Sequence, residues 1–118
     1  MQPEKTKELL DRFPTLYSHP NFRQYDFCCG DGWFELLWKL SEKLVSLKPD
    51  LQATQVKNKF GSLRFYCVFG KETSSPEYHA IENAINEAER LSFQTCEICG
   101  QPGELDGMQV RCLEHASS

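Results

Sequence analysis

Long hydrophobic runs are missing from this sequence, and so is an apolar segment near its N-terminus. The longest unbroken apolar stretches span only a few residues, as in Cys67-Val68-Phe69, whereas a helix that crosses a bilayer needs about 20. Residues 1–8 are mainly polar or charged, so they lack the apolar core of a secretory signal. Both absences predict a cytoplasmic chain in a reducing compartment, with no membrane among its partners.

An excess of positive charge is lacking as well. The chain has 13 Lys and Arg residues against 17 Asp and Glu residues, which gives a formal net charge of −4. Nucleic acid would therefore not be attracted to the protein as a whole, and contact with it would need a local basic patch. With only 7 glycines and 6 prolines among 118 residues, the composition excludes collagen and disordered chains and predicts one compact soluble domain.

Hydrophobic periodicity predicts three helices. The first spans residues 3–13 and stops before a proline. The second takes Asp31 as its N-cap and ends at residues 48–50. The third takes Ser75 as its N-cap and Pro76 as its first helical residue. The apolar stripes of the second and third helices contain Trp33, Leu36, Leu37, Leu40, Leu44 and Leu47, and Ile81, Ala84, Ile85, Ala88 and Leu91, respectively.

Two prolines interrupt residues 14–29, which we therefore predict to be an ordered loop rather than a regular element. Five large side chains recur in it, namely Leu16, Tyr17, Phe22, Tyr25 and Phe27. Core packing is the favoured interpretation because burial is the usual fate of aromatic rings. A platform on which nucleic-acid bases stack is the alternative.

Residues 54–70 alternate between apolar and polar side chains, which predicts two strands joined by a two-residue turn at Gly61-Ser62. Folding the chain there places Lys59 opposite Arg64. The face predicted to be buried contains Val56, Phe60, Leu63, Phe65, Cys67 and Phe69, with Asn58 as its one polar member. The outer face contains Lys57, Lys59, Arg64, Tyr66 and Val68.

The C-terminal quarter carries the clearest chemical pattern. Cys96 and Cys99 are separated by two residues, twelve residues follow, and Cys112 and His115 are again separated by two. This spacing is typical of a tetrahedral Cys₃His zinc site. Three thiolates and one imidazole leave no coordination position for water, so the predicted zinc is structural rather than catalytic. We also predict a short strand at residues 108–111 that returns the second pair of ligands to the first.

Two other interpretations of these cysteines are open. They could be reduced thiols beside a surface histidine, or Cys96 and Cys99 could form a redox pair. The first requires four ligand side chains at two matching spacings to coincide by chance. The second is disfavoured because redox pairs begin a helix that follows a strand, whereas this pair follows a predicted helix.

Cys28 and Cys29 are the second place where chemistry could reside, since they directly precede Gly30-Asp31-Gly32 and the predicted central helix. A thiol at a helix N-terminus can have a lowered pKa. We favour a role in capping and packing, with an anion site next and a catalytic nucleophile last, because no histidine stands nearby in the sequence.

The outer face of the hairpin is the predicted binding surface, formed by Lys57, Lys59, Arg64 and Tyr66. Like charges on opposed strand positions cost stability unless an acidic group lies near them, in this protein or in a ligand. Tyr66 could fill a protein interface or stack on a base. The alternative is a solvated face neutralised by the acidic third helix, for example by Glu82 or Glu89.

Three motifs resemble those of a family of small uncharacterised bacteriophage and prophage proteins. They read CGDGW at residues 29–33, QVKNKFGSLRFY at residues 55–66, and CEICGQPG at residues 96–103 with a final Cys112 to His115. The resemblance covers residues 25–115 and departs from the family at Ser62, where a second glycine is common. It implies a phage-like origin, a host cytoplasmic location and a zinc site, and it carries no known activity.

We therefore predict an α+β fold in which helices pack on a β-hairpin or small antiparallel sheet, followed by a zinc-ribbon-like element. Residues 1–94 would form the core and residues 95–118 the zinc element within one compact domain, and the core would survive loss of the metal. The predicted function is that of a non-catalytic accessory protein that binds a host protein or complex, with inhibition of a host defence system as one such role. The alternatives are a nucleic-acid-binding module that uses the basic outer face, sequestration of a small nucleotide-like ligand, and a thiol enzyme.

Overall fold

Within residues 1–70 and 72–116, which the computed structural model describes, the chain forms four α-helices and five short strands. The helices are α1 (Pro3–Arg12), α2 (Pro20–Tyr25), α3 (Phe34–Leu47) and α4 (Ser75–Ser92). The strands are β1 (Phe27–Cys28), β2 (Gln52–Lys59), β3 (Ser62–Val68), β4 (Glu104–Asp106) and β5 (Gln109–Arg111). Single 3₁₀ turns lie at Asp31–Trp33 and Leu113–His115. Among the helices of the described ranges, none combines the length and the apolar character that crossing a membrane requires.

The strands form two separate sheets. One has the order β1-β2-β3, with β1 parallel to β2 and β2 antiparallel to β3. The other is the antiparallel pair of β4 and β5. The predicted α+β class is therefore confirmed, with one correction. The main sheet is mixed rather than wholly antiparallel, because β1 joins the β2–β3 hairpin in parallel.

The segment that we predicted to be a loop, residues 14–29, contains both α2 and β1. Helix α2 begins at Pro20, and the His19 side chain caps it by accepting the amide of Asn21 at 3.1 Å. The helix was missed because it is only six residues long and buries a single side chain. Tyr25 is 58% exposed, against the expectation of core packing. That expectation is confirmed for the other large side chains, Leu16, Tyr17, Phe22 and Phe27.

Both predicted N-caps are wrong in detail. Ser74, rather than Ser75, caps α4: its hydroxyl accepts the Glu77 amide at 3.2 Å, and the Glu77 carboxylate accepts the Ser74 amide at 3.3 Å. This reciprocal capping box satisfies two N–H groups that have no partner within the helix. Asp31 does not cap α3, because its carboxylate instead accepts the amide of Gln2 at 2.7 Å. Asp31 thereby holds the segment before α1 against the 3₁₀ turn.

The turn of the β2–β3 hairpin lies one residue before the predicted Gly61-Ser62 position. Phe60 and Gly61 occupy it, with φ values of 56° and 97°, and the Asn58 side chain accepts the Gly61 amide at 2.9 Å. Two successive residues with positive φ match the twist of the flanking strands. The prediction missed this because a bulky residue rarely adopts a positive φ. The ring of Phe60, which we expected to be buried, is 65% exposed.

The shifted turn changes which residues face each other across the hairpin, but not the face on which each lies. Lys57, rather than Lys59, is opposite Arg64, and Lys59 is opposite Ser62. Since the register moves by two positions, the paired residues Val56, Lys57, Leu63, Arg64, Phe65 and Tyr66 stay on their predicted sides of the sheet. The inward positions that are buried as predicted are Val56, Leu63 and Phe65.

Helix α4 lies along the outer edge of β3. The Ser92 hydroxyl accepts the Leu63 amide at 2.9 Å, and the Glu89 carboxylate accepts the Phe65 amide at 3.4 Å. The same helix packs against α3. Helices therefore cover both the inner face of the sheet and one of its edges, around a core whose largest fully buried side chains are Trp33, Tyr17, Phe22, Leu9, Leu16, Leu37, Leu44, Leu51, Leu63 and Ile81.

Candidate metal centre

The four predicted ligands converge at one point. Ligand atoms of Cys96, Cys99, Cys112 and His115 all lie within 4.8 Å of one another. Cys112 Sγ is 3.1 Å from His115 Nδ1, and Cys99 Sγ is 3.6 Å from Cys112 Sγ. A tetrahedral site with metal–sulfur bonds of about 2.3 Å has sulfur–sulfur edges of about 3.8 Å. These residues could therefore hold a metal ion through three thiolates and one imidazole nitrogen.

Two tight turns present the ligands. In the first, Gly100 donates its amide to the Cys96 carbonyl at 2.8 Å and takes a φ of 85°, which favours glycine. In the second, a 3₁₀ turn, the His115 amide donates to the Cys112 carbonyl at 3.1 Å. The β4–β5 hairpin lies between the turns and brings the pairs together, so the strand predicted at residues 108–111 is confirmed as Gln109–Arg111.

Hydrogen bonds within the cluster favour the thiolate form of two ligands. Burial raises the pKa of the Cys96 thiol, but three backbone N–H groups, led by that of Cys112, outweigh burial and lower this pKa to about 6. Burial also raises the pKa of Cys112, and its contact with His115 produces a net lowering. The same contact raises the pKa of His115. Because thiolates and neutral imidazoles are the ligating forms, a metal that binds here would displace protons from the cluster.

Glu97, between the first two ligands, joins the metal centre to the rest of the fold. It is only 4% exposed. Its carboxylate accepts the Gly30 amide at 2.9 Å through Oε2 and the side-chain amide of Asn58 through Oε1. Its main-chain carbonyl accepts the Gly32 amide at 2.8 Å. A buried carboxylate requires such partners, so Glu97 fixes the centre against residues that are distant in sequence.

Gly30 and Gly32 permit this contact because they have no side chain. A Cβ atom at Gly30 would overlap the Glu97 carbonyl oxygen, and one at Gly32 would overlap the Cys96 carbonyl oxygen. Trp33, the next residue, donates its indole N–H to a carbonyl just before the first ligand, that of Thr95, at 3.0 Å. The CGDGW motif is therefore the surface on which the metal centre rests, a role that sequence reasoning did not assign to it.

Asn58 accounts for the one polar position on the inner face of the hairpin. Its amide nitrogen donates to the Glu97 carboxylate and to the Met108 carbonyl, the latter at 3.2 Å. Its oxygen accepts the Gly61 amide. One side chain thus joins β2, the hairpin turn and the β4–β5 hairpin. The polar residue was visible in the sequence pattern, but its partner lies 39 positions away and carries no local signal.

These contacts connect the two predicted regions of the chain, the core at residues 1–94 and the zinc element that begins at residue 95. The chain from residue 95 onward touches the core through Glu97, through Thr95 and through Leu105, whose side chain lies against Gly61. Residues 117 and 118 of the predicted zinc element lie outside the described residues. The division itself stays a prediction.

The two adjacent thiols before α3 differ in their surroundings. Cys29 is buried in the core, and that burial, followed by the nearby Glu97 carboxylate, raises the pKa of its thiol to about 12. A thiol with this pKa is a poor nucleophile at neutral pH. Cys28 is exposed, with its Sγ 3.4 Å from the Tyr25 carbonyl oxygen.

The predicted binding surface is assembled on the outer face of β2 and β3, but its charges are not equally free. Arg64 lies 3.9 Å from Glu89, one of the two intramolecular partners that we considered. The Lys57 ammonium lies 5.9 Å from the centre of the Tyr66 ring, which is 42% exposed. Lys59 is exposed, and neither lysine forms an ion pair among the described residues. The outer face of that part of the chain therefore retains two basic side chains without a carboxylate partner.

Comparison with known proteins finds no match for this chain. No protein-family model, curated protein or solved structure matches it. The resemblance to phage and prophage proteins therefore stays a prediction, and the function has to be inferred from the geometry of the chain's own residues.

Proposed function

We propose that this protein is a non-catalytic accessory protein, completed by a structural zinc ion, that acts by binding a host protein. The observation that supports this most strongly is the closed cluster of Cys96, Cys99, Cys112 and His115. It rests on a set of buried contacts that Glu97 makes with Gly30, Gly32 and Asn58, which we call the seat. Of the two thiols that the sequence analysis considered as nucleophiles, Cys29 is buried in the core, whereas Cys28 is exposed. With all four ligand side chains bound to a metal ion, the centre would offer no free nucleophile, which supports a non-catalytic role.

Zinc is the metal that best fits this donor set. Thiolate and imidazole ligands in a tetrahedral arrangement are typical of Zn²⁺, whereas Mg²⁺ and Ca²⁺ prefer oxygen ligands. With four protein ligands present, no position is open for a water molecule or a substrate. The ion would stabilise the C-terminal element and hold the β4–β5 hairpin against Asn58 and Gly61.

The outer face favours a protein partner over a nucleic acid. Arg64 is partly neutralised by Glu89, which leaves Lys57 and Lys59. Each phosphate contact contributes about 0.9 to the slope of log affinity against log salt, so two lysines would give a slope of only about 2, typical of weak binding. An exposed tyrosine between basic side chains instead resembles the centre of a protein interface that meets acidic residues. If the chain is of phage origin, that partner is a host protein, and a component of a defence system is one candidate.

Metal analysis tests the first half of the proposal. Purified under reducing, chelator-free conditions, the protein should contain one zinc ion per chain, and the double variant C99S/C112S should contain almost none. The matched control is C28S, which removes an exposed thiol outside the cluster and should retain the metal. A zinc content near zero in the wild type, or equal retention in C99S/C112S, would rule the site out.

Removal of zinc should disorder mainly residues 95–116. The apolar core around Trp33, Leu37 and Ile81 contains none of the ligands, so we expect circular dichroism to show a partial loss of structure after chelation. Complete unfolding would mean that the Glu97 seat is required by the whole domain.

Charge reversal tests the second half. Chemical cross-linking in cells that express the protein, quantified by mass spectrometry, should identify a partner whose yield falls at least about tenfold in K57E/K59E. The control K7E/R23E makes the same change of charge on exposed residues elsewhere and should leave the yield unchanged. Arg64 is left intact because its contact with Glu89 is part of the fold. If only a labelled oligonucleotide binds, with a steep dependence on salt, the nucleic-acid alternative replaces the proposal.

A further inference from the structure

A groove of about 680 Å³ runs between α3 and α4 and ends beside the first metal-ligand turn. At that end it is bordered by Cys99 and Gly100. None of its lining residues belongs to the outer face of the sheet. Its floor is apolar and is formed by Leu36, Leu40, Ala84, Ala88 and Leu91.

The spacing of the floor residues suits a helix as the occupant. Leu36 and Leu40 are one turn apart on α3, as are Ala84 and Ala88 on α4. The two alanines keep the floor shallow, so another helix could approach to the 8–10 Å at which helix axes usually pack, about the width of one side-chain layer. An extended segment would need backbone partners, but the backbones of α3 and α4 are already hydrogen-bonded within the helices. A helix brings its own hydrogen bonds and needs only apolar contact.

The charged side chains at the rim of the groove favour an occupant that carries negative charge. The rim contains Lys5, Lys39, Lys43, Asp31, Glu35 and Glu87. One of these acidic groups is paired with a cation, because Glu87 accepts two hydrogen bonds from Arg90 at 3.1 and 2.5 Å. Asp31 accepts only the neutral Gln2 amide and keeps its charge. Within the described ranges, three ammonium groups then face two carboxylates without a cationic partner, those of Asp31 and Glu35, which leaves a small excess of positive charge at the rim.

Two of the lysines are arranged unfavourably for the protein alone. Lys39 and Lys43 are one helical turn apart on α3, where like charges repel, and neither forms an ion pair among residues 1–70 and 72–116. Glu35 and Glu42, one turn from Lys39 on the same helix, offset part of this repulsion. Lys5 is held over the ring of Phe34, 4.6 Å from its centre, at the start of the same helix. Acidic residues on an occupant would relieve this repulsion.

We propose that the α3–α4 groove binds an amphipathic helix of a partner protein, with its apolar face on the floor and acidic residues beside Lys39 and Lys43. This site is separate from the outer face and does not depend on it. Small-to-medium apolar side chains at positions i, i+3, i+4 and i+7 of the partner helix would lie over the two alanines. Glu or Asp on the flank of that stripe would meet the lysines.

Selection from a defined library tests the proposal directly. The probe is a displayed library of 18-residue peptides with apolar residues fixed at i, i+3, i+4 and i+7 and all other positions randomised, selected on the zinc-loaded protein. We expect the enriched peptides to be acidic at the flanking positions. A synthesised peptide from the enriched set should bind K39E/K43E about tenfold more weakly than it binds the wild type, because two exposed ion pairs are each replaced by repulsion.

Two further variants distinguish the groove from the outer face as the place where the peptide binds. L91D places a charge on the floor at a residue that is already 39% exposed, so it should abolish binding while the fold persists, as judged by circular dichroism. K57E/K59E on the outer face should bind the peptide as the wild type does, and so should the control K7E/R23E. Loss of peptide binding in K57E/K59E but not in K39E/K43E would overturn the proposal and leave the outer-face function intact.

If the groove binds something other than an acidic helix, the same experiments would give different results, and each of these would overturn the proposal. Enrichment of basic peptides, or of none, would exclude an acidic helix. Saturable binding of dodecanoate without peptide enrichment would identify a site for small anionic amphiphiles. A dimer in sedimentation experiments that L91D dissociates would show that the groove holds a second copy of the chain.

Discussion

Exchanging the side-chain types of Asn58 and Glu97, which join the metal centre to the core, should reveal how much their contact contributes to the free energy of unfolding. Asn58 is fixed in orientation, because its oxygen accepts the Gly61 amide at 2.9 Å and its nitrogen donates to Glu97. Glu97 in turn accepts the Gly30 amide at 2.9 Å. In E97Q, one carboxylate oxygen becomes an NH₂ group, so a donor must face either Gly30 or Asn58. The Gly30 amide can only donate, and the Asn58 side chain is held in its orientation by the Gly61 amide, so neither group can accept a hydrogen bond from the new NH₂ group.

The magnitude follows from the bonds that are lost. A hydrogen bond to a charged group contributes about 1.5–3 kcal/mol, so E97Q should lower the free energy of unfolding by about 2 kcal/mol. N58D places a second carboxylate against the first and should cost more, about 3 kcal/mol. The double variant N58D/E97Q restores a donor opposite an acceptor. Its new amide at position 97 would donate to the new carboxylate at position 58 and still accept the Gly30 amide, so the pair also keeps one carboxylate.

The double variant should therefore be more stable than the sum of the single variants predicts, with a coupling energy of at least about 1.5 kcal/mol. Urea unfolding of the zinc-loaded protein, followed by tryptophan fluorescence, measures this, because the Trp33 indole donates to Thr95 beside the centre. If E97Q is as stable as the wild type, or if the double variant shows only the additive loss, the carboxylate does not act as the paired acceptor that we describe.

Two further predictions concern positions away from the metal centre. F60N should raise the free energy of unfolding by about 0.5 kcal/mol, because Asn tolerates the positive φ that Phe60 adopts and Asn-Gly is favoured in such turns, whereas F60A should give no gain. A clear loss in F60N on thermal melting would mean that the exposed ring packs on a neighbour. S74A should cost about 1 kcal/mol at pH 7 through loss of the α4 cap. Hydrogen bonds from Ser74, led by its backbone amide, lower the pKa of Glu77, so their stabilisation is present above the ordinary carboxyl pKa and is lost as the pH falls through the lowered value. S74A removes the hydrogen bond from the hydroxyl to the Glu77 carboxylate and keeps the one from the backbone amide. Unfolding in chelator should therefore show a smaller cost of S74A at pH 3 than at pH 7, and an equal cost would contradict a contribution of the hydroxyl to the lowered pKa.

The parts of the structure that the sequence predicts well are those that depend on local periodicity or spacing. The ligands follow from two pairs separated by two residues, and the faces of the hairpin follow from alternation with period two, which a register shift of two positions does not disturb. Helix α3 follows from its leucine repeat.

The parts that sequence reasoning missed depend on contacts between distant residues or on unusual backbone conformations. Phe60 at positive φ contradicts the ordinary preference of a bulky residue, so the turn was placed one residue too late. Residues 30 and 32 are glycines because the main chain of residues 96 and 97 lies too close to them for a Cβ atom, not because a helix begins nearby. No local pattern encodes that contact, nor the pairing of Asn58 with Glu97.

The position of α4 against β3 bears on whether another chain could add a strand to this sheet. A bare strand edge is a template on which another chain can add a strand, and that reaction starts domain swapping and amyloid growth. Ser92 and Glu89 occupy the amides of Leu63 and Phe65 that such a strand would need. At the far side of the sheet, β1 offers only two residues. Growth of the sheet at the β3 edge would therefore have to displace Ser92 and Glu89, and a strand added at the far side could pair with only the two residues of β1.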